Sequence, residues 1–64
     1  MLKLTLKAAR VNKGLTQQEA ARRLKISNKT LLRWEKGETM PTANYILALC
    51  ELYEVGYDNI NFLP

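Results

Sequence analysis

The chain has no histidine and a single cysteine, Cys50. Those two shortages exclude a Cys/His zinc site, a disulfide framework and histidine acid–base chemistry. No apolar run approaches the roughly 18 residues of a membrane span, and residues 1–6 have neither the length of a signal-peptide core nor a cleavage site. A soluble, cytoplasmic protein without a cofactor is the expectation. Strand-like alternation is also lacking: Gly14, Gly37 with Pro41, and Gly56 divide the chain, and the stretches between them repeat with helical period.

What is present is one small, apolar-rich domain. The 64 residues, 47% hydrophobic and 25% charged, have the balance of a folded globular protein and leave room for a single domain spanning 1–64. A domain of this size buries only about 60% of its unfolded surface, so its stability depends on tight helix packing or on a second copy.

Charge is unevenly distributed. All ten bases lie at or before Lys36 against only Glu19 and Glu35, a balance of +8, whereas Glu38, Glu51, Glu54 and Asp58 stand alone in the remainder, a balance of −4. A basic surface set apart from an acidic one points to a polyanion as partner, and nucleic acid is the commonest polyanion inside cells.

Capping signals divide the chain further. Thr5 can open a first helix over residues 6–13, with Leu6, Ala9 and Arg10 on one stripe and Gly14 as its stop, after an extended lead-in over residues 1–4. Thr16 and Glu19 form a capping box opening a second helix to about Leu24, on which Ala20, Ala21 and Leu24 make a face of small residues. Only Lys25 and Ile26 precede the next cap, Ser27, after which a third helix carries apolar Leu31 and Trp34 and ends at Gly37. Two helices joined so tightly must cross steeply. After Pro41, Thr42 caps a fourth helix striped by Tyr45, Ile46, Leu49, Cys50 and Tyr53, and a short fifth turn is expected around residues 57–61.

These residues together resemble the phage-repressor and Cro-like (XRE-type) helix-turn-helix transcriptional regulators. The resemblance is densest in Gly14-Leu15-Thr16-Gln17-Gln18-Glu19-Ala20-Ala21, in the stretch from Leu24 to Ser27, in Thr30-Leu31-Leu32-Arg33-Trp34-Glu35-Lys36-Gly37, and in Pro41-Thr42. One departure is Lys25, where the family commonly has a glycine in left-handed conformation. The resemblance implies an all-α, five-helix lambda-repressor-like fold with the helix-turn-helix at about 17–36. It also implies regulation of phage or mobile-element genes in a bacterium, with repression the expected mode.

On that reading the third helix enters the DNA major groove. With Leu31 and Trp34 committed to the core, Asn28, Lys29, Leu32, Arg33 and Lys36 fall on the other side. Arg and Lys suit guanine O6 and N7, Asn suits adenine N6 and N7, and Leu suits a thymine methyl, which makes Asn28, Lys29, Leu32 and Arg33 the candidate base contacts. Gln17, at a helix N-terminus and within reach of Asn28, is the first candidate for a phosphate; Gln18, Ser27, Thr30, Lys36, Thr39 and Lys13 follow. The resemblance further implies a partly buried ion pair between Arg10 and Glu35.

Two copies on a pseudo-palindromic operator are expected, with half-sites roughly 34 Å apart. The dimer contact is placed on the apolar tail: Tyr53, Val55, Tyr57, Ile60, Phe62 and Leu63. By spacing, Trp34 and Cys50 belong to the core, and Glu51, Glu54 and Asp58 have no basic or glycine-rich surroundings, so neither an enzyme nor a small-molecule substrate is expected. The rival reading is a protein-interaction module, antitoxin-like or anti-repressor, in which the same helices serve as scaffold.

Overall fold

A computed structural model describes residues 3–63. Every α-helix in it starts after a hydroxyl residue. Thr5, Thr16, Ser27 and Thr42 all have extended backbone and precede α1 (Leu6–Asn12), α2 (Gln17–Leu24), α3 (Asn28–Lys36) and α4 (Ala43–Tyr53). In the first three the side-chain oxygen accepts the backbone N–H three residues on, at 3.1 Å in each case. Thr16 and Glu19 complete the reciprocal capping box, the Thr16 N–H donating to Glu19 Oε1 at 3.0 Å.

The helix ends are equally uniform. Each closes with paired bonds in which one N–H reaches back three residues and the next reaches back five: Gly14 to Val11 with Leu15 to Arg10, Lys25 to Arg22 with Ile26 to Ala21, Gly37 to Trp34 with Glu38 to Arg33, and Glu54 to Glu51 with Val55 to Cys50. This ending requires a left-handed residue. Gly14 and Gly37 supply it without strain, at φ 77° and 76°; Lys25 and Glu54 adopt it as side-chain-bearing residues, at 59° and 52°.

The four helices enclose a core of Leu6, Ala9, Ala20, Ala21, Leu24, Leu31, Trp34, Leu49, Tyr53 and Ile60. Ala20 and Ala21 are fully covered, so small residues on α2 let its neighbours approach closely. Trp34 packs on Tyr45 with ring centroids 5.3 Å apart and planes tilted by 52°. The apolar face of α4 is wider than its expected stripe: Leu49 and Tyr53 are buried, while Ala48 and Leu52 join Tyr45 and Cys50 in partial burial against the core.

Two features differ from the expected five-helix, all-α arrangement. The fifth element is a single 3-10 turn, Tyr57–Asn59, not a helix extending to residue 61. Its exit is a short strand, β2 (Ile60–Asn61), which pairs in parallel with β1 (Leu4–Thr5), Leu4 opposite Ile60 and Thr5 opposite Asn61. A pairing two residues long has no alternation to read and its partner lies at the far end of the chain. Of the extended lead-in expected over residues 1–4, the first two positions fall outside the described residues.

The second correction concerns the proposed dimer surface. Tyr53 and Ile60 are only 3% exposed and belong to the core, so neither can meet a second copy. Val55 and Phe62 are half-buried against that core, and Tyr57 and Leu63 are the exposed members of the set. Burial pushes the Tyr53 phenol pKa up to about 12, with the nearby Glu35 charge adding to the rise and Arg10 opposing it. Its hydroxyl has no hydrogen-bond partner among the described residues.

Candidate nucleic-acid interface

The short turn between α2 and α3 places a basic, exposed helix face on a fixed base. At about 100° per residue, positions 29 and 36 lie opposite the core-directed Leu31 and Trp34, with 32 and 33 on either side. Asn28, Lys29, Arg33 and Lys36 are exposed accordingly, and Leu32 is 37% exposed among them. None of the four polar side chains forms a hydrogen bond or ion pair among the described residues. Ser27 caps the helix, and its hydroxyl shares a further bond of 2.9 Å with that of Thr30, orienting both hydroxyls at the first turn. The N–H groups of Asn28 and Lys29 stay open there, next to the positive end of the helix dipole.

Beneath this face lies a buried ionic tie. Glu35, its side chain 3% exposed, receives Arg10 Nε at 2.8 Å and Arg10 Nη2 at 3.3 Å. The guanidinium is 10% exposed and donates its remaining arm, Nη1, to the carbonyl of Leu15 at 3.0 Å. Gln17 Nε2 adds a third donor to the carboxylate at 3.1 Å. One side chain from α1, one carbonyl from the loop before α2, one amide from the first turn of α2 and one carboxylate from the end of α3 are therefore bound together. Fork-shaped pairing of this kind fixes direction as well as distance.

The phosphate candidates occupy varied settings. Gln17 is half-buried, and its amide points to Glu35 and not toward Asn28 as expected; its open backbone N–H, with that of Gln18, remains at the N-terminus of α2. Gln18, Lys36 and Thr39 are exposed, and Ser27 and Thr30 are engaged with each other. Lys13 is exposed, and its ammonium pairs with Glu54 at the end of α4, in a groove also lined by Arg23 and Glu51. The pair of Lys13 and Glu54 and the bond from Gln17 to Glu35 join residues 41 and 18 positions apart, and no local spacing announces either.

Among the described residues no group of acidic, cysteine or histidine side chains could hold a metal ion, and no helix is long and apolar enough to cross a membrane. Cys50 is half-buried, and burial raises its thiol pKa, away from nucleophilic character.

The sequence is similar to known proteins. A helix-turn-helix family model matches residues 6–60. Over 53 residues the chain is 42% identical to the HTH-type transcriptional regulator ImmR of Bacillus subtilis (strain 168), a match covering 83% of this chain and 42% of that protein. The chain thus spans about two-fifths of the length of the curated relative it matches. Matched through all four helices and the turn between α2 and α3, the chain belongs to the XRE-type, phage-repressor-like family of helix-turn-helix regulators.

Proposed function

We propose that the protein is a sequence-specific regulator of transcription that binds double-stranded DNA with α3 in the major groove. The observation that carries this reading is the α3 face itself: exposed Asn28, Lys29, Arg33 and Lys36, without partners among the described residues, around a part-exposed Leu32, on a helix locked from beneath by Arg10 and Glu35. Asn28, Lys29, Leu32 and Arg33 meet base edges. Gln17 and Gln18 offer backbone N–H groups to one phosphate, and Ser27, Thr30, Lys36 and Thr39 supply neighbouring backbone contacts. Lys13, exposed beside Glu54, is the outlying phosphate candidate.

Repression of phage or mobile-element genes, by occluding an operator, is the mode that fits. A domain of this size presents little surface to DNA, so two copies on related half-sites supply the affinity of an operator complex. Exposed Tyr57 and Leu63, with the edges of Val55 and Phe62, are the apolar surface available for that contact.

The test is selection from randomised duplex DNA followed by salt titration on the enriched molecule. An enriched motif with two related half-sites supports the reading, and Arg33→Ala should cost about 1–3 kcal/mol and relax preference at one base pair. Lys36→Ala should instead weaken all sequences alike and lower the salt slope by about one. Binding without enrichment overturns base reading, and no binding at all moves the face to a protein partner.

A further inference from the structure

We propose that Leu32 reads the C5-methyl group of a pyrimidine, so that 5-methylcytosine can take the place of thymine at one position of the bound duplex. This rests on the base-reading role of α3 proposed above, and deepens it by naming the chemical class of base that one side chain accepts.

Leu32 belongs neither to the core nor to the half-buried apolar residues packed against it. The apolar work of α3 is done by Leu31, fully buried, and Trp34, 6% exposed, while Leu32 stands 37% exposed between them and the polar face. Its neighbours one turn away are Asn28 and Lys29 on one side and Lys36 on the other, all exposed. The remaining neighbour at helical spacing, Glu35, is turned inward to Arg10. A single apolar side chain thus sits inside a field of donors.

Chemistry restricts what such a side chain can meet. In the major groove the C5-methyl of thymine is the one apolar group that projects from a base edge; cytosine presents only a C5–H at that place, and the other readable groups are donors or acceptors. An isobutyl group pressed on any of the others would strip water from a polar atom and return no hydrogen bond. Asn28 lies four residues before Leu32, about 6 Å away between Cβ atoms, close to two base-pair steps of 3.4 Å. An adenine held by the Asn28 amide and a methyl under Leu32 can therefore occupy the same short step of one site.

Leucine has no polar atom with which to tell the O4 of thymine from the N4 amine of cytosine. What it senses is the methyl alone. A cytosine methylated at C5 presents that methyl at the same place in the groove, so the methylated C·G pair regains what the unmethylated pair lacks at this side chain. The protein's affinity for a site carrying cytosine at that position then depends on whether the DNA has been methylated there.

The experiment uses the enriched duplex. Each thymine is replaced in turn by deoxyuridine, which removes the methyl and nothing else, and the dissociation constant is measured for the wild-type chain and for Leu32→Ala. Burial of one methyl corresponds to about a fourfold change in affinity. At one thymine the wild type should lose about fourfold, and in Leu32→Ala that loss should shrink to nearly none while other positions keep their ratios. Leu32→Met, which keeps an apolar side chain, should retain the loss. At the same position, 5-methylcytosine should bind about fourfold tighter than cytosine for the wild type and equally for Leu32→Ala. A specific duplex in which no deoxyuridine change matters, or one whose methyl dependence survives in Leu32→Ala, overturns the role of Leu32 and leaves base reading by the other residues intact. Failure to enrich any duplex overturns both.

Discussion

Removing Glu35 should endanger the whole fold, whereas removing Glu35 and Arg10 together should not. Glu35→Ala leaves a guanidinium, 10% exposed, with the Leu15 carbonyl as its remaining protein acceptor and deprives Gln17 of its amide's partner. Stranding one member of a buried pair costs about 3–5 kcal/mol. A 64-residue domain at about 0.05–0.15 kcal/mol per residue has about 3–10 kcal/mol in total. Glu35→Ala should accordingly give up about a third or more of that stability. The double variant Arg10→Met with Glu35→Leu puts apolar groups of similar volume in the same space and should fall within about 1 kcal/mol of wild type or above it. Urea unfolding followed by the fluorescence of buried Trp34 compares wild type, Glu35→Ala and the double variant. The exposed pair of Lys13 and Glu54, with side chains 39% and 67% exposed, serves as the internal contrast, and Lys13→Met should cost less than about 1 kcal/mol. A loss for Glu35→Ala no larger than that of Lys13→Met would refute the claim that the tie organises the helices.

Three further outcomes follow from local chemistry. Lys25→Gly removes a side chain from a left-handed residue at φ 59° and should stabilise the protein by about 1 kcal/mol in the same urea assay. Tyr53→Phe deletes a buried hydroxyl that has no partner among the described residues and should leave stability unchanged or raise it by about 1 kcal/mol. It should also change the alkaline limb: the folded pKa of about 12 lies above the unfolded value of 10, so wild-type stability is held below pH 10 and lost as pH rises toward 12, a loss the phenylalanine variant lacks. Glu19 shows the opposite sign, since bonds from the Thr16 backbone and side chain lower its pKa; its contribution is present above the ordinary carboxylate range and disappears as pH falls through the lowered value. Glu19→Gln can keep the bond to the Thr16 N–H without that charge, and its acid-unfolding curve should be flatter than the wild type's.

What could be read directly from the residues was what depends on near neighbours. Thr16 with Glu19, Ser27 before α3 and Gly37 after it specify their helix ends within four residues, and the observed bounds of α2 and α3 agree with those expected. The end of α4 was less legible because Glu54, not a glycine, takes the left-handed position; Gly56 lies two residues too late to mark it. Distant pairings left no trace in local spacing. Ile60 reads as one exposed member of an apolar tail until Leu4 is placed beside it, and Tyr53 reads as part of that surface until the helices close over it. At the interface, the 3.6-residue period was enough to separate Leu31 and Trp34 from the opposite face of α3. It carried no information on the amide of Gln17, whose direction is set by a carboxylate from another helix.

The parallel pairing of Leu4 with Ile60 joins positions about 56 residues apart, whereas the capping bonds of α1, α2 and α3 join residues three apart. Closing a loop of that length costs chain entropy that only a nearly finished core repays, so the ribbon is the last piece to dock as the chain folds. Substitutions at Ile60 should then quicken unfolding and barely slow folding, the kinetic mark of a residue absent from the nucleus. The same closure makes the domain nearly a ring. A short flexible linker across the ribbon, with the backbone reopened in the exposed stretch near Thr39, would give a permuted chain whose four helices meet in a new order along the sequence and in the old order in space.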